Sequence, residues 1–230
     1  MTPRLSVIIP TLNEERRIGG QLSRLAAMPG IHEVIVADGG SDDRTADRVR
    51  AVGTARLVFA PRGRGRQMNV GAQAATGDVL LFLHADAVPP PDAALRISAA
   101  LADSRVVGGA FWIRTVAEGA GGWPARLLWL ADLRSRYSRL PYGDQALFVR
   151  RDMFDRVGGF APVPLFEDLD LSRRLRRVGR LHLVRAPVEV SGRRFMARPI
   201  RYACLMNVMP ALYRLGVPPA TLARMYGQVR

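Results

Sequence analysis

Three acidic stations carry the chemistry of this chain, and each lies at the end of an apolar run or of a loop. Asp38 follows Val34-Ile35-Val36-Ala37. Asp86 closes the tripeptide His84-Ala85-Asp86 after Leu80-Leu81-Phe82-Leu83. Glu167-Asp168 follows a loop rich in Gly and Pro and opens an arginine-rich helix. Open α/β sheets bind ligands where the carboxyl ends of their strands splay into a crevice. A carboxylate there is poised to meet a metal, a sugar hydroxyl or a base edge. Acids in this order point to metal-dependent chemistry on a phosphorylated, nucleotide-like ligand. Arg62-Gly63-Arg64-Gly65-Arg66 adds guanidinium groups beside glycines that permit close backbone approach, which suits a diphosphate. The run lacks the closing Lys-Ser/Thr of a P-loop. Arg66, at the start of the following helix, is the leading candidate for a phosphate contact.

The elements that must position these residues alternate. Leu5–Pro10 reads as a buried strand, and Asn13 as the cap of a helix that buries Ile18, Leu22 and Leu25 on one face. Glu33–Ala37, Arg56–Ala60 and Val79–His84 read as strands. Asp43–Val52 and the segment from Arg66 to Ala75 read as the helices between them. This alternation predicts an α/β fold whose central sheet is mostly parallel and flanked by helices. The second half is less regular. Strands are expected at Val106–Ile113, Gln145–Val149, Leu181–Val184 and Val188–Val190. Leu171, Leu175 and Val178 mark one face of a helix that Gly179 ends. We expect a single domain over residues 1–230: a nucleotide-binding half to about 105, an acceptor-side half to about 195, and a basic amphipathic tail.

Composition narrows the setting. The 34 basic residues are all Arg and outnumber 20 acids, for a net charge of +14, so anionic partners are favoured. A lone cysteine, Cys204, fits a reducing compartment and a buried thiol. No apolar run reaches the ~20 residues of a membrane span, and the start of the chain lacks the pattern of a leader. These features predict a cytoplasmic protein. Two basic amphipathic stretches, around Trp123–Arg136 and Arg198–Arg214, suit the anionic inner face of the cell membrane or a lid over the acceptor.

The ordered stations resemble family-2 glycosyltransferases with the GT-A fold. The resemblance rests on Ser6-Val7-Ile8-Ile9-Pro10-Thr11-Leu12-Asn13-Glu14, on Val36-Ala37-Asp38-Gly39-Gly40-Ser41-Asp42-Asp43, on His84-Ala85-Asp86 as a counterpart of Asp-x-Asp, and on Glu167-Asp168. It implies a UDP- or GDP-sugar donor, with base and ribose over Pro10, Thr11, Asn13, Glu14, Asp38 and Gly39. It implies Asp86 as a ligand of Mn2+ or Mg2+, with Ala85 and His84 beside it. His84 departs from the usual acid and offers an imidazole donor instead. Asp168 becomes the general base of an inverting transfer and Glu167 an acceptor contact, with the acceptor entering over Tyr142, Gly143 and Asp144. Arg193 or Arg194 lies near the leaving phosphates. Arg62 through Ala72 and Leu215-Gly216-Val217-Pro218-Pro219 further resemble a bacterial subgroup named for arsenosugar biosynthesis.

Plainer roles stand beside each of these. Asn13 can cap a helix, Asp38 can close an Asx-turn, His84 can be structural, and Glu167 and Asp168 can complement a helix N-terminus. A nucleotidyltransferase on a similar sheet is the alternative enzyme, but the loop after the first strand is not the basic, glycine-rich one it needs. A nucleic-acid binder would use the positive charge, but no recognition motif supports it and no nucleic acid is expected.

Overall fold

Alternating side chains on the first strands build a sheet that is covered on both faces. The computed structural model describes residues 3–117, 132, 140–192, 208–213 and 215–226. Over these residues the order is β1 (Leu5–Thr11), α1 (Ile18–Ala26), β2 (Ile31–Asp38), α2 (Thr45–Val52), β3 (Arg56–Phe59), α3 (Arg64–Ala74), β4 (Val79–Phe82) and β5 (Ala87–Val88). There follow α4 (Ala93–Ala100), β6 (Val106–Val116), a 3-10 turn at Gly143–Gln145, β7 (Leu147–Arg150), α5 (Arg151–Arg156), α6 (Glu167–Val178), β8 (Arg180–Ser191) and α7 (Pro219–Tyr226).

The eight strands form one sheet in the order β3-β2-β1-β4-β7-β6-β8-β5. The pairings β3-β2-β1-β4 are all parallel, as the alternation predicts, and β6-β8 is parallel as well. β7 runs antiparallel to both β4 and β6, and β5 antiparallel to β8. Period-two alternation splits the core between the two faces. Val7, Ile9, Val34, Val36, Val79 and Leu81 pack with Ile18, Leu22 and Leu25 of α1 and Ile97 of α4. Ile8, Ile35, Leu80 and Phe82 face the other way, onto Met68 and Ala72 of α3 and Leu171 and Leu175 of α6. On that second face Phe82 meets Phe160 edge-on at 4.8 Å and Phe154 at 5.3 Å. These contacts seat the loop that leads to Glu167, and each aromatic pair adds ~0.5–1.5 kcal/mol beyond the area it buries.

The strand order turns back between β1 and β4: β2 and β3 lie to one side of β1, and β4 returns to the other. A crevice opens at such a switch point, off the carboxyl ends of the strands. The loop after β1 carries Asn13 and Glu14, and the turn after β4 carries His84 and Asp86.

Two elements differ from expectation. The segment read as two short strands, Leu181–Val184 and Val188–Val190, is one strand of 12 residues. Val184 pairs with Phe111 and Pro187 with Trp112, so Arg185 and Ala186 bulge between adjacent partners. The bulge accommodates Pro187, whose missing N–H would otherwise break the ladder. The expected strand Gln145–Val149 begins with the 3-10 turn, and pairing starts only at Leu147. No helix among the described residues is long and apolar enough to cross a membrane.

Candidate active site

The ends of β1 and β2 are tied together by hydrogen bonds. Thr11 and Asp38, the last residues of β1 and β2, are register partners. Below them Gln67 of α3 donates from Nε2 to the carbonyls of Thr11 (2.7 Å) and Ala37 (3.0 Å), joining the two strand ends. Asp38 is 1% exposed. Its Oδ1 accepts the N–H of Gly40 (3.0 Å) and Ser41 (2.8 Å), and its Oδ2 accepts the hydroxyls of Thr11 (3.1 Å) and Ser41 (2.6 Å). The Asx-turn alternative therefore describes Asp38, and these bonds fix the Gly39-Gly40-Ser41 turn at the crevice rim. Gly39 itself donates to Thr11 O at 2.9 Å, and Pro10 lies one residue below in β1.

Asn13 does not cap a helix. The first helix starts at Ile18 after Arg17, which makes no side-chain cap. Instead Asn13 adopts φ +57°. Its N–H donates to Ser41 Oγ (2.9 Å), and its Oδ1 accepts the Asp42 N–H (2.9 Å). Bonding to the neighbouring loop has taken the amide that a cap would use. Glu14 donates its N–H to Thr45 Oγ1 at 2.8 Å, and its carboxylate pairs with Arg17 at 3.4 Å. The loops after β1 and β2 are thus one bonded unit.

The turn after β4 is closed by the Ala87 N–H on His84 O, at 3.1 Å. Ala85 is buried in the core, whereas Asp86 is exposed. His84 Nε2 is buried and has no hydrogen-bond partner among the described residues. Burial, then the nearby Arg64 cation, hold this imidazole below its ordinary pKa and keep it neutral; Asp86, Asp144 and Glu167 pull the other way. Among the described residues no group of three or more His, Cys, Asp or Glu is gathered to hold a metal. The donors fit a cation only in the form that Mg2+ and similar hard ions favour: one carboxylate, Asp86, with ligand phosphates and water completing the shell.

Arg66 is exposed on the first turn of α3, which begins at Arg64. Arg64 is less exposed and reaches across to α6. It forms an ion pair with Glu167, the first residue of α6, which is only 2% exposed. Burial works against the Arg64 charge, but Glu167 and Asp168 outweigh it and hold the guanidinium charged.

Asp168, the second residue of α6, lies against the 3-10 turn. It is 6% exposed. Oδ2 accepts the Gly143 N–H at 2.5 Å and Oδ1 the Leu169 N–H at 2.7 Å. Burial, and then repulsion from Glu167, push its carboxyl up to about 6; Arg64 and the two backbone donors oppose that rise. Gly143 permits a close approach here. A Cβ at that position would lie 3.0 Å from Asp168 Oδ2 and 3.5 Å from His84 Nε2, so both groups converge on the space a side chain would fill. Gln145 fixes the 3-10 turn from below, accepting the Tyr142 N–H at 2.9 Å and donating to Phe111 O at 3.0 Å. Asp144 sits on this turn, and its charge reaches both Arg64 and His84. Among the described residues the non-glycine residues with positive φ are Asn13, Ala146 and Phe166: one at the donor end, two flanking the acceptor end. Such residues cost ~1–3 kcal/mol each and gather at sites that need a particular geometry.

Part of the tail covers this end. Met209 and Leu222 are buried with Tyr142, Leu165, Phe166 and Leu169, and Tyr213 stacks on Phe166 at 5.0 Å. Arg193, Arg194, Cys204 and nearly all of the stretch 123–136 lie outside the described residues. Sequence reasoning missed Gln67, Gln145 and the pairing of Arg64 with Glu167. Only the Arg-Gly-Arg run hinted at the last of these.

Comparison with known proteins agrees with this architecture. Residues 6–165 match the profile of the family described as Glycosyl transferase family 2. A PGL/p-HBAD biosynthesis glycosyltransferase of Mycobacterium tuberculosis is 30% identical over 169 residues, 69% of this chain and 63% of that protein. A glucosyl-3-phosphoglycerate synthase of Mycolicibacterium smegmatis is 33% identical over 96 residues, 37% of this chain and 32% of that one. The chain thus spans between about a third and two thirds of these curated relatives. Among solved structures, a mannosyltransferase of Pyrobaculum calidifontis in complex with GDP-Man and Mn2+ superposes with a TM-score of 0.64 at 23% identity, over 83% of this chain and 57% of that one. The Mycobacterium tuberculosis glucosyl-3-phosphoglycerate synthase with Mn2+, UDP and glucosyl-3-phosphoglycerate gives 0.57 at 21%, over 82% and 70%.

Proposed function

The chain belongs to glycosyl transferase family 2, and on that premise we propose that it moves a sugar from a UDP- or GDP-sugar to an acceptor hydroxyl, with inversion at the anomeric carbon. The observation that carries the reading is Asp168. It is a buried carboxylate pushed up to about 6, held on Gly143 beside the crevice between the β1 and β4 loops.

Base and ribose lie over Pro10, Thr11, Asn13, Glu14 and Gly39, on the rim that Asp38 shapes. Arg66, exposed on the first turn of α3, and Arg193 or Arg194 meet the diphosphate. Asp86 would hold a divalent cation, Mn2+ or Mg2+, which would supply positive charge to the leaving group. The acceptor enters over Tyr142, Gly143 and Asp144, against Glu167. Its oxygen forms a bond to the anomeric carbon as the bond from that carbon to the diphosphate oxygen breaks. The nucleoside diphosphate leaves with the electron pair, and the hydroxyl proton passes to Asp168. A carboxyl near 6 is ionised at neutral pH yet basic enough to take that proton. His84, neutral and without a partner among the described residues, is placed to donate to the sugar or ribose.

The setting we infer is the cytoplasm, against the inner face of the membrane. The exposed apolar residues Val208, Leu215 and Met225 in the basic tail support it. The finer resemblance to the arsenosugar subgroup gives a first group of acceptors to try. Calorimetry with UDP and GDP tests the donor site. Binding is expected to be tighter in Mn2+ than in chelator, and Asp86→Ala to abolish the difference. Equal affinity with and without metal removes the cation from the account.

A further inference from the structure

Helix α3 is bonded to both ends of the site, and its acceptor-side contacts have no part in holding a nucleotide. Gln67 ties the donor strands, as described above. Two residues on, Asn69 clamps the backbone of Phe160: Nδ2 donates to its carbonyl and Oδ1 accepts its N–H, both at 2.9 Å. Gly65 lets the helix sit against the same loop, since a Cβ there would meet Ala161 O at 3.1 Å and Glu167 Cγ at 3.4 Å. Arg64 completes the set through its ion pair with Glu167. Loop 157–166 and the first turn of α6 therefore hang from one face of α3.

We propose that Arg64 is the positioning residue of the acceptor end: its ion pair with Glu167, backed by the Asn69 clamp on Phe160, fixes the first turn of α6 and thereby sets Asp168 on Gly143. The inference rests on the reading of Asp168 as the base. It assigns Arg64 to the carboxylates and leaves the diphosphate to the exposed arginines of the same loop.

The physical need is plain. Glu167 and Asp168 are adjacent, both buried, and both negative when ionised. Neighbouring buried carboxylates cannot both hold charge without a cation between them. Among the described residues, the charged or titratable groups set against Asp168 are Glu167 from its own helix and Arg64 from α3, with His84 converging on it over Gly143. Of these only Arg64 is a cation, because His84 is held neutral. Arg64 thus fixes the place of Glu167 and also favours the ionised form of Asp168.

The test is the pH profile of donor hydrolysis by water, measured with UDP-glucose and GDP-mannose for wild type, Arg64→Gln, Arg64→Lys, Glu167→Gln and the Arg64→Gln/Glu167→Gln double variant. Loss of the cation moves the acid limb up by roughly one pH unit, and loss of the Glu167 charge moves it down. The double variant returns toward wild type, and Arg64→Lys stays near it. Turnover of Arg64→Gln at pH 6 falls on the order of tenfold, with UDP affinity by calorimetry unchanged. An unmoved acid limb together with weakened UDP binding makes Arg64 a phosphate ligand and overturns the proposal. Thermal melts identify a variant that fails to fold; Arg64→Lys and the double variant then carry the comparison. If wild type neither binds nor hydrolyses a donor, the glycosyl-transfer reading fails separately. The 13C titration of the Asp168 carboxyl, followed by NMR in wild type and Arg64→Gln, then decides the pairing alone. Identical titrations there overturn it.

Discussion

Asp38 and Asp168 are both buried carboxylates at the crevice, yet their surroundings are opposite in kind. Asp38 has four donors on its two oxygens, drawn from Thr11, Gly40 and Ser41, and no acid beside it in the chain. Asp168 has two backbone donors, the acid Glu167 next to it, and a buried cation one residue further away. The first arrangement uses the carboxylate to hold a loop. The second keeps an anion short of partners, and therefore basic. The β1–β2 end is a bonded rim, and the α6 end is where the proposed reactivity lies.

That contrast predicts where substitutions hurt stability. Asp38→Ala is expected to cost the most, about 2–3 kcal/mol, because its donors lose their acceptor in a buried place. The midpoint of a denaturant titration is expected to fall without a change in slope, and UDP binding to weaken with it. A cost below about 0.5 kcal/mol would mean that the rim holds itself without Asp38.

Next in size is a pH effect confined to the acceptor end. The Asp168 carboxyl stands at about 6 when folded, against an ordinary 3.8. The folded state therefore binds a proton that the unfolded state releases, and stability from this group rises as pH falls from above 6 toward 4. His84 acts in the other direction: its lowered pKa makes the folded state resist protonation, so stability is lost as pH falls through 6.5. Comparing wild type with Asp168→Asn cancels the His84 contribution. Wild type is expected to gain on the order of 1–3 kcal/mol over the variant between pH 7.5 and 4.5. Parallel stability curves would show that Asp168 is an ordinary carboxylate.

Asn13→Ala is the smallest of these effects. Asn13 joins two loops through one donor and one acceptor at an exposed position. About 1 kcal/mol is expected, seen as a lower thermal midpoint and weaker nucleotide binding, with catalysis at saturating donor unchanged. A loss confined to helix content near Ile18 would restore the capping role.

The same contrast explains what the residue pattern could reveal. Strands β1, β2 and β4 and the buried face of α1 are local, so alternation and the Ile18-Leu22-Leu25 spacing disclose them. The places of Asp38, which ends β2, and Asp86, in the turn after β4, were legible because each follows an apolar run. Asn13 was misread because a helix cap and a loop-to-loop tie use the same side chain, and only the fold decides between them. Arg64 and Arg66 are indistinguishable in an Arg-Gly-Arg run. Which of them meets Glu167, 103 positions away, depends on the phase of α3 and on the packing of Gly65 against Ala161. The close approach at Gly143, where His84 and Asp168 converge, is likewise a product of three distant segments and has no local signature.

The most direct test of the account is turnover of a saturating donor by Asp168→Asn, with donor affinity measured on the same sample. The variant keeps the shape of the side chain and removes the basic carboxylate. The account predicts a fall of ~10²–10⁴ in turnover with the dissociation constant of UDP or GDP nearly unchanged. Near-normal turnover, or loss of nucleotide binding with the fold intact, would contradict it.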